Sequence, residues 1–114
     1  MFEKFTPLLT GATLADPKEE FKNSKRFEKY RMSSRALFIP AGFTWNYLPL
    51  KEITRFKKVT RLITSDNGVC PFSMEAPGIR IHYRDAEDLI EVEKDKNAEA
   101  MLLLIAEGSG LEPA

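Results

Sequence analysis

The chain has 114 residues, 43% of them hydrophobic and 30% charged, a balance that excludes a disordered polymer and suits one hydrophobic core rather than two. Its 17 basic and 17 acidic side chains cancel, and a net charge of zero argues against a nucleic-acid surface built on bulk charge. A single cysteine, Cys70, excludes an internal disulfide, and the longest apolar run, residues 100–106, is far below the roughly 18 residues of a membrane span.

These counts, with no apolar stretch of export length near the N-terminus, lead to the expectation of a cytoplasmic protein with no transmembrane segment, in which Cys70 is a small buried residue. Residues 1–16 have no clean period. Phe2, Phe5, Leu8 and Leu9 can share one short helical face that Pro7 and Gly11 limit, so the segment reads as a covering arm or first turn. Asp16 before Pro17 starts a helix, because the Asp carboxylate accepts from orphan amides and Pro is tolerated at the first helical position. Glu19 and Glu20 suit the positive end of its dipole, and the helix runs over residues 17–23. Residues 25–32 alternate imperfectly, with Phe27, Lys29 and Arg31 against Glu28, Tyr30 and Met32. They read as one strand, bent at Ser33 and Ser34.

The densest strand signal fills residues 34–63. Ala36, Leu37, Phe38 and Ile39 form an apolar run, Pro40, Ala41 and Gly42 suit a type I turn with a left-handed closing residue, and Phe43, Trp45 and Tyr47 return at period two. Pro49 ends that hairpin, having no amide for a ladder. Residues 53–64 make a long strand whose two faces are both mixed, which predicts a bulge near Lys57 and Lys58. Asp66, Asn67 and Gly68 form a turn, residues 69–75 a return strand, and Ala76, Pro77 and Gly78 a further turn. Ile79, Ile81 and Tyr83 then alternate with Arg80, His82 and Arg84. After a polar turn over residues 85–88 the last strand covers 89–93, with Ile90 and Val92 on one side and Glu91 and Glu93 on the other. Asp95 or Asn97 caps a final helix to about Glu107, in which Ala98, Met101, Leu102 and Ile105 form the buried stripe, widened by Leu103 and Leu104, and Gly108 closes it.

Six or seven antiparallel strands in hairpin succession, then one amphipathic helix, describe a curled sheet whose open end the helix closes. In residues 30–40 (YRMSSRALFIP), in 46–53 (NYLPLKEI) leading into a basic strand, and in 97–105 (NAEAMLLLI) as closing helix, the sequence resembles the bacterial pleckstrin-homology-like (PH-like) domain family. The likeness covers about residues 25–107. It implies a mainly β, partly open antiparallel barrel with one C-terminal α-helix, flanked by an arm and short helix over 1–24 and a mobile tail over 108–114. It also implies a scaffold that binds lipid head groups, peptides or protein chains, bacterial relatives often being assembly modules. The closing helix lacks the Trp that many eukaryotic members place there, so their lipid specificity is not carried over.

Charge is unevenly placed. Residues 18–35 hold seven basic and three acidic side chains, residues 51–61 five and one, and residues 75–99 four and eight. Lys25, Lys29, Arg31, Arg55 and Lys57 are the candidate anion-binding residues. With a Lys upstream, Lys29 and Arg31 on one strand face match loosely the K-x(n)-K-x-R pattern of phosphoinositide-binding pleckstrin domains, and Arg can fork onto phosphate. Phe43, Trp45 and Tyr47 could stack bases, though aromatics at period two are what a buried face looks like. The single His82, between Arg80 and Arg84, and Cys70 have no metal-ligand spacing partner and supply no nucleophile and base pair. The expectation is a non-catalytic binding or assembly module, not an enzyme, with no cofactor or metal. Its partner would be another protein or a second copy; the alternative is an anionic ligand, a phospholipid head group or nucleic acid, on the basic strand face.

Overall fold

Short connections and alternating apolar residues turn most of this sequence into two meanders, which a C-terminal helix joins. The computed structural model describes residues 4–9, 11, 14–65 and 72–113. Among them the elements are β1 (Lys4–Pro7), α1 (Pro17–Lys22), β2 (Lys25–Phe27), β3 (Tyr30–Met32), β4 (Ala36–Ala41), β5 (Thr44–Pro49), a 3₁₀ turn (Leu50–Glu52), β6 (Ile53–Ser65), β7 (Phe72–Tyr83), β8 (Ala86–Glu91) and α2 (Asp95–Ser109). The fold is mainly β with a C-terminal helix, as expected. The described residues contain eight strands rather than six or seven, in a five-stranded sheet of order β1-β5-β4-β3-β2 and a three-stranded sheet of order β6-β7-β8. The turn expected at Asp66, Asn67 and Gly68, together with Cys70 and Pro71, lies outside the described residues.

Several local expectations are corrected. β1 is extended and pairs in parallel with β5, Phe5 beside Trp45, where a helical face was expected and every strand pair was expected antiparallel. Pro7 and Gly11 leave too few residues to nucleate a helix, while β5 offers an edge of free backbone groups. Residues 25–32 are not one strand: Phe27 pairs with Tyr30 around a two-residue turn of Glu28 and Lys29. Phe27 and Tyr30 are both buried although three apart, which a single alternating strand cannot achieve.

In the next hairpin Ala41 pairs with Thr44, so Gly42 (φ 66°) and Phe43 form the loop and Pro40 remains in β4. β3 pairs β4 only at Leu37 and Phe38, so the missing amide of Pro40 breaks no ladder there. The register shift in β6 falls between Ile53 and Arg55, not near Lys57 and Lys58, and lets Ile53 and Phe56 both point inward. Ala76, Pro77 and Gly78 continue β7 opposite Arg61, Thr60 and Val59 instead of turning. β8 starts at Ala86, paired with Tyr83, so the turn is Arg84 and Asp85.

One core draws on both sheets and α2, with Leu37, Leu48, Phe56, Ile79, Met101 and Ile105 fully enclosed. The expected stripe of α2, Ala98, Met101, Leu102 and Ile105, is buried, whereas Leu103 is 67% exposed. The opposite face of the five-stranded sheet has a smaller cluster of Ala36, Phe38 and Tyr47, covered by Phe5, Leu14, Phe21 and Trp45. Phe21 of α1 lies 5.2 Å from the Phe38 ring and 4.9 Å from Trp45. α1 is held as its sequence predicts, the Glu19 amide donating to Asp16 at 3.1 Å. Among the described residues no helix is long and apolar enough to cross a membrane.

Gly110, at φ 75°, ends α2; Gly108 is one turn element too early for that role and serves packing instead. A Cβ on Gly108 would lie 2.3 Å from Leu50 Cδ1, 2.7 Å from Leu50 Cβ and 2.9 Å from the Ser34 carbonyl oxygen. Leu111, expected in a mobile tail, packs against the main core. Gly→Ala inside a helix ordinarily stabilises by about 1 kcal/mol. Here overpacking against backbone dominates, and Gly108→Ala is expected to lower stability by roughly 1–3 kcal/mol. A fall in the urea midpoint at unchanged slope checks it.

Candidate functional site

The tight β2–β3 turn sets up a polar cleft. Glu28 takes φ 59°, a conformation that non-glycine residues avoid, and so aims its carboxylate at the start of α2. Oε1 accepts from the Glu93 amide at 2.8 Å, and Oε2 accepts from the Lys94 amide at 3.2 Å and from Asn97 Nδ2 at 2.8 Å. Partial burial pushes the Glu28 pKa up, but these three donors, with the Lys94 charge, outweigh it and hold the carboxyl below its ordinary range. Neither Asp95 nor Asn97 caps the helix with its own side chain: Lys94 is the cap residue and makes no side-chain bond.

Glu28, Lys29, Arg61, Glu91 and Glu93 line a cleft of about 450 Å³ here. Arg61 is committed: its Nε donates to the Pro77 carbonyl at 3.0 Å and its terminal nitrogen to the Val92 carbonyl. Its stem crosses Gly78, where a Cβ would come within 3.2 Å of Arg61 Cδ. The Tyr30 hydroxyl accepts from the Glu91 amide at 3.1 Å, and Lys29 Nζ stands 5.3 Å from the Tyr30 ring centre. Glu91 and Glu93 are exposed. Two cations and three carboxylates line this cleft, which gives it no net preference for an anion.

The five candidate anion-binding residues fall on both sheets. Lys25 lies on β2, its Nζ 5.7 Å from the Phe27 ring. Lys29 is in the turn, not on a strand face shared with Arg31 as expected. Arg31 is spent internally: its Nε donates to Ser24 Oγ at 2.8 Å, a terminal nitrogen donates to the Ser24 carbonyl at 3.0 Å, and the guanidinium covers the Phe21 ring at 4.8 Å. Arg55 and Lys57 lie on β6 in the other sheet, level with His82 and Arg80 of β7. Lys58, on the inner face, bridges Asp95 and Glu99 at 2.7 Å each, and those hydrogen bonds hold its pKa above the ordinary lysine value.

A second cleft, of about 390 Å³, is lined by Leu14, Ala15, Ser34, Arg35, Pro49, Lys51 and Gly108. Of the three aromatics, Tyr47 is buried, Trp45 is half-buried under Phe21, and Phe43 stands fully exposed on its hairpin loop. His82 Nδ1 is 3.9 Å from Glu87, which also meets Arg80 at 2.9 Å. Burial first, then the Asp88 carboxylate to which its hydroxyl donates, pushes the Tyr83 phenol up. Among the described residues no three His, Cys, Asp or Glu side chains are placed to hold a metal ion.

Comparison of the chain with protein-family models, with curated proteins and with solved structures finds no match. Function has to come from the chain's own geometry. Sequence reasoning missed Glu28 and Arg61. The spacing of Phe27 and Tyr30 signals the turn that places Glu28, since two core aromatics three apart require one; nothing local to Arg61 announces that it reaches across β7.

Glu28 binds its partners as a carboxylate. Its folded pKa is depressed, so its contribution is complete above the ordinary glutamate range and is lost as pH falls through that range toward the folded value. Glu28→Gln is expected to cost about 1 kcal/mol at neutral pH, the low end for charged hydrogen bonds because the group is partly solvated. Urea midpoints followed downward from pH 7 should show the gap between variant and parent closing below roughly pH 4.5.

Proposed function

We propose that this chain is a PH-like binding or assembly module of the bacterial type that works without catalysis. The observation that carries this reading is the order of elements: the four-strand meander β2–β5, the three-strand meander β6–β8, and α2 closing the space between them. Residues 30–40 fall on β3 and β4, residues 46–53 on β5 and the step into β6, and residues 97–105 on α2, where they include its buried stripe, so the segments behind the resemblance are the ones that join the sheets and the helix. The 3₁₀ turn, not a ladder, connects β5 to β6, as suits a partly open barrel.

The non-catalytic reading is supported by how the polar cleft is used. Glu28 and Arg61 hold the fold together, and Glu91 and Glu93 are open to solvent. Between a macromolecular partner and a small anion, the commitment of Arg31 to Ser24 and Phe21 favours the first. An open β6 edge of 13 residues gives such a partner backbone to pair with.

Light scattering over a wide concentration range, beside a pulldown on the immobilised chain, tests this. A mass above the monomer, or a specifically retained protein, is expected. A strict monomer that retains nothing overturns the reading. Binding to anionic vesicles that high salt removes, and that Lys29→Glu with Arg31→Glu abolishes, would replace it with a head-group binder.

A further inference from the structure

We propose, on the assembly reading above, that copies of this chain associate head to tail, the β6 edge of one molecule pairing with the β8 edge of the next. Among the described residues β6 and β8 are the outer strands of the three-stranded sheet, each laddered to β7 on one side only. Such edges present backbone donors and acceptors ready for another strand. The five-stranded sheet competes poorly, its outer strands β1 and β2 being four and three residues long.

The register sets which side chains flank these edges. On the outward face Arg55 is level with His82 and Glu87, Lys57 with Arg80 and Leu89, and Val59 with Gly78 and Glu91. The β6 column is therefore basic and the β8 column acidic, on the same face. Among the described residues Arg55 and Lys57 have no carboxylate within ion-pair distance, whereas Lys58 and Arg80 do. Leu89, 39% exposed, stands between Glu87 and Glu91. The internal contact of Glu87 with Arg80 is solvent-exposed and worth little, so it does not withhold Glu87 from a second partner.

Charge then decides the symmetry. Pairing β6 with β6 of a second copy would set Arg55 and Lys57 among like charges, and pairing β8 with β8 would do the same to Glu87 and Glu91. Like charges across a strand pair destabilise it and opposite charges favour it. Only β6 against β8 joins unlike columns, and with zero net charge the molecules carry no general repulsion to overcome. The Glu91 amide is already taken by Tyr30, so the incoming strand pairs along residues 86–89. A contact between different surfaces repeats, giving a ring or an open chain of molecules instead of a two-fold dimer.

Sedimentation velocity of the full chain at rising concentration and ionic strength is the test. The parent is expected to associate at low salt and to dissociate as salt rises. Arg55→Glu with Lys57→Glu, and separately Glu87→Lys with Glu91→Lys, should each weaken association by roughly tenfold or more. An equimolar mixture of the two variants should restore it, because each reversed edge meets its reversed complement. The neutral pair Arg55→Gln with Lys57→Gln should weaken association several-fold and reads the same contact if a reversal does not fold.

Association that persists in both reversed variants, or that mixing fails to restore, overturns the β6–β8 contact while leaving the assembly reading standing. A β6-reversed variant that binds the parent better than it binds the β8-reversed variant assigns a two-fold β6 contact and also overturns it. A monomer at every concentration that retains no partner removes both.

Discussion

The first turn of α2 is where both sheets grip the closing helix, and they do so with opposite charges. From the five-stranded sheet, Glu28 takes two backbone amides and the Asn97 side chain; from the three-stranded sheet, Lys58 takes the carboxylates of Asp95 and Glu99. The left-handed backbone at Glu28 costs about 1–2 kcal/mol for a residue with a Cβ. That strain persists because three hydrogen bonds to a carboxylate depend on it. At the other end of α2, the bare Gly108 brings the helix against Leu50 and Ser34. The helix is thus seated by polar contacts where it begins and by close packing where it ends.

What could be read from the sequence was local and periodic. α1, the end of β5 at Pro49, the alternation around Ile79 and Ile81, and the buried stripe of α2 each depend on residues a few positions apart, and each is where the pattern put it. What could not be read depends on partners far along the chain. β1 is a strand only because β5 leaves an edge beside it, and Glu28 finds its acceptor role 65 residues away. Gly108 looks like a helix stop until Leu50 is known to sit beneath it. The candidate cations divide in the same way. Arg55 and Lys57 keep the outward strand positions their alternation implies, Arg55 exposed and Lys57 half-buried, whereas the commitment of Arg31 follows from a hairpin that folds Ser24 and Phe21 against it.

The two sheets end up with unequal outer faces. On the larger one, the aromatics of β4 and β5 are covered by α1 and by residues upstream of it. On the smaller one, charged side chains stand in columns and the stem of Arg61 lies across Gly78. Unequal charge along the sequence, which averages to nothing over the whole chain, becomes a spatial division between the two edges of a single sheet. That division is what gives a neutral protein a direction.

The aromatic cluster beneath α1 has a further meaning for how the chain avoids unwanted company. Were residues 4–22 peeled away, Phe38, Trp45 and Tyr47 would meet water at the same moment that β5 lost its parallel neighbour. A sticky aromatic surface beside an unpaired strand is the combination that seeds uncontrolled strand exchange and aggregation. The N-terminal segment is, in that sense, the chain's own gatekeeper, sealing the β5 edge and the aromatic surface beside it.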